Sequence, residues 1–385
     1  MGKRVLRAVV VAATTGVGVG LLSPIAAHAS VACGQTITSS MTLDHHLNCP
    51  ASNGIFVGAS NVVLDLGGHS ISGPAPTGTT GVGLRGVIVL QNRTGVTVRN
   101  GIIRGFDSGV DVQPGANSAT VSGLILDKNG GGVRVNTGAL SNRLAGNTII
   151  NTTRFSGMQV GGNGHVLENN TFHNGAGAGI FLSGNNNVIR ANKLIDMGQN
   201  GITINAFPSN PGPFVDNQIV DNQVTGASRL SNSSVSINLN NGSGTLISGN
   251  TVNGRKVTPG VFVFNSANTV VSANTLTNNA STGVLVRGTS TGTQVIGNQS
   301  SSNTFSGITI ENGPTGTVVA DNTVARNGGN GIHVSSSATT ITRNTAVSNG
   351  NLGIFAVGGV TDGGGNRAFA NGNPAQCSPS IVCTN

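Results

Sequence analysis

"GITIENGPTGTVVADNTVARNGGNGIHV", Gly307–Val334, opens and closes on the same four-residue form: glycine, an aliphatic residue, a variable one, and a second aliphatic. Within "GITIEN", Ile308 and Ile310 fall on one side of an extended chain and Thr309 and Glu311 on the other, as in a strand with one buried face. The form recurs as "GVIV" at Gly86, "GVDV" at Gly109, "GVRV" at Gly132, "GMQV" at Gly157, "GIFL" at Gly179 and "GITI" at Gly201. It continues as "SVSI" at Ser234, "GVFV" at Gly260, "GVLV" at Gly283, "GIHV" at Gly331 and "GIFA" at Gly353. Most intervals are 22 to 26 residues, and the longer one before Ser234 holds an insertion.

A second marker keeps the same phase: Asn147, Asn170, Asn192, Asn222, Asn250, Asn274, Asn298, Asn322 and Asn344. Two markers on one period are the signature of a stacked repeat. Leucine-rich repeats need a leucine spacing that is missing, and helical repeats need amphipathic runs that this Gly- and Asn-rich text cannot sustain. The pattern predicts three short strands per repeat with a polar turn after each, one coil of a parallel β-helix. About a dozen coils, roughly 4.8 Å apart, give a rod about 60 Å long. The repeated Asn is then an internal ladder, its amide bonding backbone within a turn and the Asn of the next coil.

The composition agrees. The 385 residues include 60 Gly, no Trp and no Tyr, only 8% are charged, and mean hydropathy is +0.08, which favours strands and tight turns over helices and still allows a core. Lys3, Arg4 and Arg7, the apolar run Ala8–Leu22 and "AHA" at Ala27–Ala29 read as a secretory signal over residues 1–29. Its removal leaves 17 Lys and Arg against 12 Asp and Glu, a net charge of +5. Scattered cations without interleaved aromatics argue against nucleic acid and leave a polyanionic polysaccharide as a partner class. No other stretch is apolar enough to span a membrane, and a secreted monomer is expected.

Cys33 and Cys49 lie near one end and Cys377 and Cys383 near the other. Four cysteines allow three connectivities, but a rod keeps its ends apart, so the expected pairs are Cys33–Cys49 and Cys377–Cys383. The first would stabilise the fold by about 3 kcal/mol through loop closure in the unfolded chain. The expected organisation is a tied cap at 30–53, the β-helix at 54–371 and a tied tail at 372–385.

The spacing, the Asn column and the entry segment "NVVLDLGGHSISG" at Asn61–Gly73 resemble the right-handed parallel β-helix repeat proteins of bacteria, which share the pectate-lyase-like superfold. The likeness covers roughly Gly54 to Asn371. It implies export and polysaccharide lyase, hydrolase or epimerase chemistry, or binding alone, and the fold does not choose among them. Pectate-lyase motifs such as "RxPxxR" are absent, as are the "NTD", "DD", "GHG" and "RxK" strings of polygalacturonases, and Tyr-dependent chemistry is excluded.

What remains is a set of candidates. Asp111, Arg134 and Asp107 are the catalytic candidates, with Arg as base and Asp as a Ca²⁺ ligand if the chain is a lyase; a surface ion pair explains the same residues. Arg154, Glu168, His173, Arg190, Lys193 and Phe181 are the substrate-binding candidates, Glu168 and Arg190 being neighbours across coils. With Trp and Tyr missing, outward Phe181, Phe262 and Phe355 are the surfaces left for stacking on sugar rings. His69 belongs to the turn of the entry coil, His45 and His46 to the disulfide-tied amino-terminal cap, and no dedicated metal site is expected. The insertions at Gly73–Arg85, Ala206–Asp216 and Gly226–Ser234 mark where binding walls would rise from the rod. The leading reading is a secreted protein that acts on or binds extracellular polysaccharide, as a pectate-lyase-like lyase or a glycoside hydrolase. The alternative is a non-catalytic binding or structural protein.

Overall fold

A computed structural model describes residues 30–75, 83–206, 212–227, 229–230, 234–254 and 259–385. Residues 1–29, where the secretory signal is expected, and residues 76–82, 207–211, 228, 231–233 and 255–258 lie outside the described residues.

From Val31 onward the chain winds as a right-handed parallel solenoid. The Gly-aliphatic segments form a first sheet of fourteen strands stacked in chain order, from Gln35–Ile37 to Ile354–Ala356. That is two coils more than the dozen expected, because Gln35–Ile37 and Ile55–Val57 pair beneath the strand at Arg85–Val89. The aliphatic pairs point inward as the alternation required: Val110 and Val112, Ile180 and Leu182, Val261 and Val263, and Ile308 and Ile310 are all fully buried. Each such side chain contributes about 1.5–3 kcal/mol by leaving water.

The glycine that opens most first-sheet strands is required by close approach. A Cβ at Gly109 would stand 2.9 Å from the Gly132 carbonyl oxygen, and one at Gly132 would stand 2.4 Å from that of Gly157. One coil departs from the sequence reading: Ile202 pairs with Ile237 and Ile204 with Leu239, so Ser236, not Ser234, takes the glycine's place after the insertion.

Second and third rows of strands complete each coil, for example Val166–Glu168 and Thr171–His173. Between them runs the expected Asn ladder. Asn147, Asn170, Asn192, Asn222, Asn250, Asn274, Asn298, Asn322 and Asn344 each donate from backbone N–H and from Nδ2 to the Oδ1 of the next member, at 2.9–3.2 Å, ending on Asn366. The residue before each amide turns the corner in the left-handed region, as a glycine at Gly146 and Gly249 but as Ala191, Ala273 and Arg343 elsewhere. A second ladder that sequence spacing did not reveal runs through Asn279, Asn303, Asn327, Asn349 and Asn371 at the next corner.

A third corner carries Asn142, His165, Asn187 and Asn217. It then changes to Thr245, Thr269, Thr293, Thr317 and Thr339, whose buried hydroxyls have no hydrogen-bond partner. Both expected disulfides are present, Cys33–Cys49 at one end and Cys377–Cys383 at the other.

Candidate functional site

Outward positions of the first sheet form one continuous file: Ile88, Asp111, Arg134, Gln159, Phe181, Thr203, Asn238, Phe262, Leu285, Thr309, His333 and Phe355 occupy successive coils in register. After Ile88, polar and charged side chains hold it at Asp111, Arg134 and Gln159; from Phe181 onward aromatic and aliphatic residues are interspersed with Thr203, Asn238, Thr309 and His333.

Asp111 and Arg134 are register neighbours, as the repeat predicted, but the ion pair forms elsewhere. Asp111 Oδ2 accepts from Arg85 Nε at 2.7 Å and Oδ1 accepts from Asn136 Nδ2 at 2.7 Å, and Asp111 is only 2% exposed. Arg134 stays exposed. Beside them, Asp107 accepts from Arg154 Nη1 at 3.3 Å and from the Gly83 backbone N–H at 2.7 Å, while the Arg154 guanidinium lies 4.6 Å over the Phe155 ring.

These carboxylates do not fit a calcium ion, which needs six to eight oxygen ligands. Both oxygens of Asp111 and both of Asp107 already accept from protein donors. Among the described residues no group of three or more His, Cys, Asp or Glu side chains converges on one point.

Glu168 forms the second cluster. Its Oε2 takes Arg190 Nε at 2.7 Å and Nη2 at 2.5 Å, and its Oε1 takes Arg143 Nε at 2.7 Å and Nη2 at 2.5 Å. The carboxylate is thus clamped between two guanidiniums from the coils on either side, itself 4% exposed. The Arg190 hydrogen bonds, with those from Arg143, hold the carboxyl below the usual glutamate range against the opposing effect of burial. A general acid needs the reverse shift. Arg143 was not among the sequence candidates; its register neighbour is Val166, so the pair is diagonal and repeat spacing alone does not signal it.

His173 and Lys193 lie on the third row, His173 opposite Ile150 and Ile195 and Lys193 opposite Thr171, both exposed. No hydrogen bond or ion pair joins either of them to Glu168, so the five charged side chains do not form one cleft. Phe181 is half-buried between Gln159 and Thr203 on the first sheet, away from that cluster.

Toward the carboxy terminus the file becomes an apolar ledge. The Phe262 and Phe264 rings stack at 5.7 Å, and His333 stacks on Phe355 at 4.6 Å with 25° between the planes. Hydrogen bonds to Asn330 and Ser335 fix the His333 ring, and partial burial lowers its pKa, which keeps the imidazole neutral. His333 carried no sequence signal beyond its place in the repeat.

A family model described as "Right handed beta helix region" matches residues 85–241 and 227–368. Among solved structures, the chain is similar to a tailspike protein mutant of E. coli bacteriophage HK620 in complex with a pentasaccharide, with a TM-score of 0.55, 11% identity, and coverage of 91% of this chain and 73% of that one. It is similar to a second HK620 tailspike mutant in complex with a hexasaccharide, with a TM-score of 0.52, 12% identity, and coverage of 90% and 73%. A mutant of the periplasmic alginate epimerase AlgG aligns with a TM-score of 0.43 and 16% identity over 71% of this chain, which spans 66% of the epimerase. No curated protein matches by sequence. At these identities the likeness is one of fold.

Proposed function

This chain belongs to the right-handed β-helix family, and from that premise we propose that it is an exported polysaccharide-binding protein that holds an extended glycan along the outward file of its first sheet. The observation that carries this is the placing of the aromatics. Phe262 stands three coils beyond Phe181 and Phe355 four coils beyond Phe262, about 14 and 19 Å along the axis. Half-buried Asn238, whose Nδ2 donates to the buried Thr203 hydroxyl, lies in the first interval, and Leu285, Thr309 and His333 lie in the second. Stacking faces separated by hydrogen-bonding side chains suit a polymer of sugar rings running parallel to the rod.

Exposed Arg134, at the amino-terminal part of the file, gives that end a positive charge for an acidic sugar. Asp111 and Asp107, with their oxygens committed, shape the surface around it. The same file is where a lyase or hydrolase would act, so the test includes product formation.

The purified protein is passed over gels of acidic and neutral polysaccharides and then incubated with the same polymers, with and without Ca²⁺, while unsaturated-product absorbance and reducing ends are followed. The expected result is retention on at least one gel, weakened at least tenfold by Phe262→Ala with Phe355→Ala, and no cleavage. Cleavage abolished by Asp111→Asn would make the protein an enzyme. Retention unchanged in the Phe variants would move binding off the first sheet.

A further inference from the structure

The outer surface of the third row at the entry coils carries a cleft of about 480 Å³, lined by His46, Leu47, Asn48, Ser70, Ser72, Ile102 and Arg104. That volume lies within the range of small-ligand pockets. Register explains its order. Asn48, Ser72 and Arg104 stack in one file over three coils, and Ser70 and Ile102 in the file beside it, with His46 leading into that file.

Its polar groups are held in place. The His46 Nδ1 accepts from the Ser70 backbone N–H at 3.0 Å, which fixes the ring proton on Nε2, and the Ser70 hydroxyl lies 3.1 Å from the same nitrogen. His69 packs edge-on against His46 with centroids 5.0 Å apart. Arg104 Nε donates to Ser72 Oγ at 3.0 Å and the guanidinium makes no ion pair among the described residues, leaving its terminal amines for an anion. Ile102 and the 42%-exposed Ile125 on the next coil supply an apolar surface beside the charge.

We propose that this cleft binds one acidic monosaccharide unit, its carboxylate on Arg104, its hydroxyls on Asn48, Ser72 and the His46 Nε2–H, and its ring against Ile102. A planar guanidinium matches a carboxylate through paired hydrogen bonds, and the aliphatic floor suits the C–H face of a pyranose. Asp127 takes the next register position after Arg104, its Oδ1 accepting from Asn151 at 2.9 Å, so a second carboxylate one coil further would meet like charge. The cleft therefore takes one acidic unit and not a run of them. The strand at Leu47–Asn48 adjoins Cys49, so the Cys33–Cys49 disulfide tethers one wall of the site.

This site shares no residue with the first-sheet file and stands or falls separately. The test is NMR of the imidazole C–H signals of the full chain, titrated with glucuronic acid, glucose and sodium sulfate. The expected result is that glucuronic acid moves the His46 and His69 signals and leaves His333 in place, that glucose moves nothing, and that Arg104→Gln and Ser72→Ala each weaken the response at least fivefold with an unchanged circular dichroism spectrum. Unmoved His46 and His69 signals would overturn the proposal. Equal affinity for sulfate alone would reduce the cleft to an oxyanion site and overturn its assignment to a sugar.

Discussion

His165 stands where a ladder position holds asparagine on neighbouring coils, and it copies the amide's chemistry. Its Nδ1 accepts from the Asn142 backbone N–H at 3.0 Å, and its Nε2–H donates to the Gly161 carbonyl at 3.2 Å. Full burial presses its pKa from 6.5 down to about 4. Because the folded value is depressed, the unfolded chain takes the proton first, and stability falls as pH drops from about 6.5 to about 4, by about 3 kcal/mol in all. His165→Asn is expected to reduce that slope in denaturation curves measured at pH 7 and pH 4.5, leaving the part contributed by His333, whose pKa is also lowered by burial. The lowered carboxyls of Glu168 and Asp321, held by Arg190 and Arg343, act in a separate window: their contribution is present above the ordinary carboxylate range and is lost as pH falls through their depressed values. Asp111 offers a second residue-level expectation. Arg85→Ala leaves a buried carboxylate without its cation and should cost about 3 kcal/mol, whereas Arg134→Ala should cost under about 0.5 kcal/mol, both read by urea denaturation. Sequence pointed to Arg134 because it is the register neighbour; the partner that forms comes from three residues before the aligned position on the preceding coil.

At the scale of the coil, two repeated constraints made the fold legible. A glycine is needed where the next coil's carbonyl fills the Cβ position, and an amide is needed where a buried corner must satisfy backbone groups on adjacent coils. Both leave a periodic letter in the sequence. The second Asn ladder is shorter, and on earlier coils its place is taken by Thr152 and Gly175, so its period is broken. The slip from Ser234 to Ser236 followed an insertion, where interval counting loses phase. The corners also differ in energy. Asn274→Ala strips a buried amide that bonds Ile247, Asn250 and Asn298, and is expected to cost about 2–4 kcal/mol. Thr293→Val replaces a buried hydroxyl that has no partner and is expected to be neutral or stabilising. Thermal or urea unfolding of the two variants side by side separates the corners.

From Val31 onward the described residues form a solenoid of fourteen coils, about 65 Å of stacked strands with a disulfide near each end. Such a scaffold presents any outward file as a straight line, which is why a periodic sequence can announce a fold clearly and a function faintly. Phe181, Phe262 and Phe355 were legible as outward aromatics; that His333 stacks on Phe355 and that Glu168 is clamped from both sides depends on side-chain geometry that the repeat does not encode. A polymer lying along the file reaches the three phenylalanines one after another, each new contact adding to those already made. The most direct test is calorimetric titration with a graded oligosaccharide series cut from whichever polymer the protein retains. The predicted result is affinity that climbs in steps as the chain grows long enough to span Phe181 to Phe262 and then Phe355, with the steps lost in the Phe262→Ala, Phe355→Ala double variant. Affinity independent of chain length, or steps that survive in the double variant, would contradict binding along the first sheet.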